Sequence, residues 1–186
     1  MNRVKLIGEE RVVLLDEAGV PIGDASKSGI HTDRTPLHLA FSCYLFNDSG
    51  ELLVTRRALE KRTWAGVWTN SFCGHPSPGE PMEAAIIRRG WEELGVGVFA
   101  LEVVLPEFRY RATDASGVVE NEVCPVYAAR ATGPIHPNPD ELAEWAWVSP
   151  DHLAGSLART PFVFSPWLAL QLPQFLAQSA ERFGAR

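Results

Sequence analysis

The stretch from Gly74 to Val96 limits the possible folds of this chain more than any other. Pro81 suits the first turn of a helix and Gly95 follows Leu94 as a stop, so residues 81–94 read as one helix entered from a loop. Its charges are dense: Glu80 before it, then Arg88, Arg89, Glu92 and Glu93. Arg89 and Glu93 stand at i, i+4 on one face. Carboxylates presented this way can hold Mg²⁺, a hard ion that takes oxygen ligands and bridges to substrate phosphates. A solvated helix face has the same look, so the pattern alone leaves both readings open.

Around that helix the chain reads as short strands and turns. Residues 11–15 and 21–22 flank Asp16-Glu17-Ala18-Gly19, the signal of a hairpin, here an N-terminal extension at about 9–24. Residues 37–46 are strand-like, and Asn47-Asp48-Ser49-Gly50 turns the chain into 51–57. Further strands are expected over 68–73, 98–105, 108–112, 118–129 and 144–148. Ser149-Pro150-Asp151 opens a short helix, and Ser165-Pro166-Trp167 a longer one towards Gln178. Short strands with few helices point to an α+β sandwich around a central sheet. No segment looks like a linker, so residues 1–186 are read as one domain.

Composition excludes several classes. With 46% apolar and 22% charged residues the chain is neither disordered nor fibrous. No apolar run approaches the roughly 18–20 residues of a membrane span, and Arg3, Lys5, Glu9 and Glu10 interrupt any apolar h-region, so no secretory signal is evident. Three cysteines make no disulfide framework, which suits a cytoplasmic protein with Cys43 and Cys124 as buried thiols. A net charge of −6 argues against nucleic acid as the partner. Trp64, Trp68, Trp91, Trp145 and Trp147 are expected in the core.

A second group of residues carries metal-ligand chemistry. His31 and His38 are separated by Pro36 and cannot share a helix, while Cys73 and His75 are two apart. Glu120 and Glu122 are also two apart on a strand, so both carboxylates face the same side. Imidazole and carboxylate together suit Zn, Mn or Fe, and three histidines with two glutamates would fill a five- or six-coordinate site. Spacing alone does not separate such a site from ordinary hydrogen-bonded histidines.

The segment from Gly74 resembles the Nudix box at Gly74, Glu80, Arg88, Glu92, Glu93, Gly95 and Val96. It departs at Arg89, where the box has a glutamate, and at Gly90, where it has an apolar residue. An arginine removes a metal ligand and adds a bidentate phosphate donor. The departure therefore implies a Nudix scaffold that keeps a diphosphate without hydrolysing it. Longer strings are more specific. Thr69-Asn70-Ser71-Phe72-Cys73-Gly74-His75-Pro76, Glu120-Asn121-Glu122-Val123-Cys124-Pro125-Val126 and Phe164-Ser165-Pro166-Trp167 resemble the type I isopentenyl diphosphate isomerases, with similarity from about Lys27 to Trp167.

That resemblance implies a Nudix-like α/β/α sandwich around a mixed central sheet, and a site in named parts. His31, His38, His75, Glu120 and Glu122 match the ligands of one ion, Mn²⁺ or Zn²⁺. Glu93 and the Cys73 backbone carbonyl match those of Mg²⁺ on the substrate diphosphate, and Lys27, Arg57, Lys61 and Arg89 match its basic partners. Cys73 and Glu122 match the acid/base pair, and Tyr110 and Trp167 the pocket aromatics.

The implied reaction moves a double bond, from isopentenyl to dimethylallyl diphosphate, by adding a proton at C4 and removing one from C2 through a tertiary carbocation. An alkene is a poor base, so the acid must be close and its pKa tuned. Cys73 is expected to act as a thiolate acceptor opposite Glu122, with the direction of transfer open. A cation–π contact from Trp167 is worth about 0.5–2 kcal/mol, against the roughly 8 kcal/mol or more by which enzymes lower barriers. Positioning and exclusion of water must supply the rest. The competing readings are a Nudix pyrophosphohydrolase and a non-catalytic metal-stabilised binding module. The ion at the histidines and the oligomeric state stay open.

Overall fold

Two segments that the sequence presents as continuous strands organise the molecule by breaking. The structure, a computed structural model, describes residues 9–183. The single domain expected over 1–186 thus takes in residues 1–8 and 184–186, which lie outside the described residues. The strands are β1 (Arg11–Leu15), β2 (Pro21–Ser26), β3 (His38–Leu39), β4 (Phe41–Phe46), β5 (Leu52–Arg57), β6 (Trp68–Thr69), β7 (Phe72–Gly74), β8 (Val98–Leu105), β9 (Arg109–Thr113), β10 (Val119–Val123), β11 (Val126–Ala131) and β12 (Leu142–Val148). The helices are α1 (Lys27–Ile30), α2 (Met82–Arg89), α3 (Pro150–Arg159) and α4 (Pro166–Phe183).

The strands form two sheets where one central sheet was expected. Five follow the order β2-β1-β3-β10-β9, and the other sheet runs β12-β5-β4-β11-β8 with β6 on β5 and β7 on β4. Residues 37–46 switch sheets at Ala40, and 118–129 switch at Cys124-Pro125. Proline has no N–H to continue a ladder, which is why the second break falls there. The two crossing segments run parallel and side by side: Glu122 lies opposite His38, and Val126 opposite Ser42. The Ala40 N–H donates to the Val123 carbonyl (2.9 Å) and that of Ser42 to the Pro125 carbonyl (3.1 Å), which stitches the crossing together.

Strand β4 is buried on both faces, as a central strand should be. Phe41, Cys43 and Leu45 pack with Ala85 and Ile86 of α2. Tyr44 points the other way, into the cluster of Leu168, Leu172 and Phe175 from α4, and its ring stacks on Phe175 at 4.3 Å. Helices therefore cover opposite faces of a mixed sheet, the layering expected from the sequence.

The helix expected over 81–94 is present in two parts. Helix α2 widens into a π-helical turn over Gly90–Leu94 and stops at Gly95, whose φ of 61° is left-handed. Gly90 explains its own departure from the motif: a Cβ there would sit 2.5 Å from Val98 Cγ2. Two tryptophans correct the expectation of a buried role. Trp91 is 58% exposed on the outside of the π turn, and Trp145 is 40% exposed on β12, an edge strand. Cys43 and Cys124 are free and buried, as expected.

Candidate active site

The sheet crossing creates the first part of the site. Because β3 and β10 are parallel neighbours in register, His38 and Glu122 meet side by side. His38 holds its Nδ1 to the Pro36 carbonyl at 3.0 Å, the second-sphere bond that frees Nε2 to act as a ligand. That Nε2 lies 3.2 Å from His75 Nε2 and 3.6 Å from Glu122 Oε1, and His75 Nε2 is 3.2 Å from the same oxygen. Ligand atoms of His31, His38, His75 and Glu122 all fall within 4.8 Å of one another. Glu120 joins through His31, its Oε2 2.9 Å from His31 Nε2. Both of these buried atoms lack a hydrogen-bond partner despite their closeness. Buried polar atoms are normally satisfied, and a cation among these nitrogens and oxygens would satisfy both. The residues present therefore fit a metal ion.

The charges at this cluster are tightly set. Burial would raise the Glu122 carboxyl, but His38 and His75 hold it well below the ordinary range. Burial drives His75 down to about 4. It also opposes a charge on His38, yet the bond to Glu122 wins there and raises the imidazole.

The second part is a thiol beneath an aromatic wall. Strand β7 pairs with β4, which sets Cys73 opposite Ser42, with Sγ 3.3 Å from Ser42 Oγ and 3.3 Å from Asn70 Oδ1. Burial pushes this thiol up to about 12; the Ser42 and Asn70 bonds lower it, and Glu122 and Glu93 raise it. Burial thus favours the protonated thiol at Cys73, where the sequence reading expected a thiolate. Trp167 stands over the same cavity, tilted against Tyr110 at 5.8 Å and edge-on to Trp64 at 5.4 Å. The Arg57 guanidinium lies 5.5 Å from the indole centroid, so a cation already meets this ring.

The third part is basic and internally paired. Arg89 is buried and bonds Glu93, Glu92 (3.0 Å) and Glu141 (3.4 Å). Lys61 is also paired with Glu141. Lys27 reaches Glu10 at 2.6 Å, and Arg57 donates to the Thr63 carbonyl at 3.2 and 3.0 Å. Burial and Glu141 raise the Glu93 carboxyl, with Arg89 opposing.

Every residue expected in the site except His38 lines one cavity, and His38 is fully buried against it. Sequence reasoning missed Glu141, which no motif flags, and Thr63, whose hydroxyl donates to Glu120 at 3.1 Å. The motif residues Glu80 and Arg88 act as a clamp. Arg88 bonds both Glu80 oxygens at 2.8 Å and the His75 carbonyl at 3.3 Å, tying the loop that carries His75 to α2.

Comparison with known proteins shows the family and the fold. The NUDIX domain family model matches residues 36–168. The chain is 66% identical over 171 residues to an isopentenyl-diphosphate Delta-isomerase of Paenarthrobacter aurescens, covering 92% of this chain and 93% of the relative. It is 59% identical over 175 residues to the enzyme of that name from Leifsonia xyli, covering 93% and 95%. The fold is similar to that of a crystal structure from Deinococcus radiodurans (TM-score 0.69, 22% identity, 89% and 98% covered). It is also similar to a MutT protein from Methanosarcina mazei (TM-score 0.63, 21% identity, 79% and 96% covered).

Proposed function

The chain belongs to the isopentenyl-diphosphate Delta-isomerases of the NUDIX fold, and we propose that Cys73 and Glu122 carry its two proton transfers. It converts isopentenyl diphosphate to dimethylallyl diphosphate. One observation supports the pair most: the Cys73 thiol and the Glu122 carboxyl line the same cavity, where burial favours the neutral thiol and His38 and His75 favour the carboxylate. One donor and one acceptor are what a reaction with no net proton change needs at the start of each turnover. A pyrophosphohydrolase would instead want a glutamate at the position of Arg89.

His31, His38, His75, Glu120 and Glu122 would hold an Mn²⁺ or Zn²⁺ ion. Glu93 and the Cys73 carbonyl would hold Mg²⁺ with the diphosphate. Bound there, the two ions supply positive charge, one beside Glu122 and one against the phosphates. The rest belongs to the chain. Lys27, Arg57, Lys61 and Arg89 exchange their present protein partners for phosphate oxygens and orient the substrate. Tyr110 and Trp167 present ring faces to the developing cation and keep water from its carbon. Binding energy from the remote diphosphate is spent on closing this pocket. Among the described residues no helix is long and apolar enough to cross a membrane, and we read the enzyme as a cytoplasmic single domain acting on a small diphosphate.

The test is incubation with isopentenyl diphosphate and Mg²⁺ in deuterated water. Dimethylallyl diphosphate carrying deuterium, with no inorganic phosphate released, is expected. Cys73→Ala should keep the fold and lose turnover by on the order of 10²-fold or more. Near-full activity in that variant would sink the assignment of the pair.

A further inference from the structure

Asn70 lies between β6 and β7 and is fully buried. Its amide orientation is fixed by chemistry. Nδ2 donates to the Cys43 carbonyl at 3.1 Å and to the Phe72 carbonyl at 3.0 Å, two groups that can only accept. Oδ1 must then face the other way. There it meets Thr69 Oγ1 at 2.9 Å, Trp167 Nε1 at 3.0 Å and Cys73 Sγ at 3.3 Å. The indole N–H is a donor only, so the Trp167 contact has a single polarity.

We infer that Asn70 is a positioning residue for the isomerisation: its one carbonyl oxygen fixes the Trp167 indole and the Cys73 thiol relative to each other across the substrate cavity. This rests on the roles given above to Cys73 and Trp167. The two side chains come from elements far apart in sequence, β7 and α4, and Oδ1 is a bonded atom common to both. Three donors converge on an oxygen with two lone pairs. The S–H is the longest and weakest of the three contacts, so the thiol can turn its hydrogen to the cavity while the indole and hydroxyl stay anchored. Thr69 is itself held at 2.8 Å by Ser165 Oγ, the residue before α4, which ties the start of that helix to the same point.

The experiment compares Asn70→Ala, Trp167→Phe and the double variant in the metal-loaded enzyme. Asn70→Ala is expected to lower kcat by about 10- to 100-fold, the scale for displacing a reacting group by an ångström. KM should stay within about two-fold and the metal content should be unchanged, because the diphosphate and imidazole ends do not touch Asn70. The double variant should lose less than the product of the two single losses, since both remove the same bond. A second measurement covers the case in which Asn70→Ala does not fold. The Trp167 indole N–H in the wild-type enzyme, assigned by its disappearance in Trp167→Phe, should exchange with deuterated water far more slowly than that of exposed Trp91. Exchange as fast as Trp91, strictly multiplicative losses, or a loss confined to KM would each overturn the inference. If Cys73→Ala and Trp167→Phe themselves keep full kcat, the parent reading fails and takes this inference with it. If both lose kcat while Asn70→Ala does not, only the inference fails.

Discussion

The two ends of the cavity solve opposite electrostatic problems. At the imidazole end, buried atoms of His31 and Glu120 have no hydrogen-bond partner, although the cluster is dense in donors and acceptors. At the basic end, Arg89, Lys61 and Lys27 are all bound to protein carboxylates. On the proposed reading, one end is built around an ion that stays. The other, on the same reading, is built around a diphosphate that comes and goes, and its cations are neutralised by protein carboxylates between visits. An unpaired buried charge costs several kcal/mol, so a cation site for a leaving substrate needs stand-in anions. Glu93 and Glu141 fill that role.

The largest effects should come from breaking the resident end. His38→Ala removes a proposed ligand that is fully buried beside Glu122. It should abolish measurable turnover and lose the tightly held ion, while Mg²⁺ remains exchangeable. Elemental analysis checks this, and a full metal complement in the variant would refute the ligand role of His38. Glu122→Gln should weaken the ion and remove on the order of 10²–10⁴-fold of the rate. Cys73→Ala should lose rate alone.

Next in size is the loss of a cation from the exchanging end. Arg89→Ala leaves Glu93 buried without its partner and Glu141 half-paired. Breaking a buried pair from one side costs about 3–5 kcal/mol. Urea unfolding should register that loss even without substrate, whereas a solvated helix face would change little. Arg89→Lys should recover part of the stability but not the bidentate geometry towards phosphate. A smaller effect has the opposite sign. Glu141→Gln frees Lys61 and Arg89 from a competing carboxylate, so KM for the diphosphate should fall by about three- to ten-fold, on the order of 1 kcal/mol. A raised KM would instead make Glu141 part of the binding machinery.

The same contrast explains what the sequence made legible. The imidazole end could be read because its residues sit in strings specific enough to carry a resemblance: Glu120 and Glu122 two apart on a strand, and His75 just past the strand that carries Cys73. Strand periodicity puts Glu120 and Glu122 on one face, and the resemblance of the longer strings supplied the rest of the set. What it hides is the sheet switch. Residues 37–46 and 118–129 keep a continuous strand-like pattern through Ala40 and Cys124, because both sheets bury apolar side chains on either side of the crossing. Pro125 was the available signal, a residue that cannot donate inside what looked like a central strand. Glu141 had no signal at all. It lies in a loop that reaches the site only through the fold, held by Glu141 N–H to Asn138 O and Ala58 N–H to Glu141 O. The burial that favours a neutral thiol at Cys73 was likewise hidden, because burial is a tertiary property.

The smallest effect sharpens the comparison from outside the cavity. Glu80 and Arg88 form an ion pair that supports the site without lining it. The Arg88 hydrogen bonds hold the Glu80 carboxyl below its ordinary value, and the Ser77 N–H assists. A carboxyl lowered on folding contributes stability above its unfolded pKa, near 4, and loses that contribution as pH falls through the folded value. The pair is partly solvated, so its worth is about 1 kcal/mol or less. Wild type should therefore exceed Glu80→Gln by that amount in urea unfolding at pH 6, and the gap should close as pH falls from about 5 to 3. Because neither Glu80 nor Arg88 lines the cavity, saturating diphosphate should leave the gap unchanged. For Glu141→Gln the stability difference should instead shift on binding, as Lys61 and Arg89 leave one anion for another. A Glu80→Gln gap that moved with diphosphate would place this clamp among the exchanging partners and end its reading as fixed support for the His75 loop.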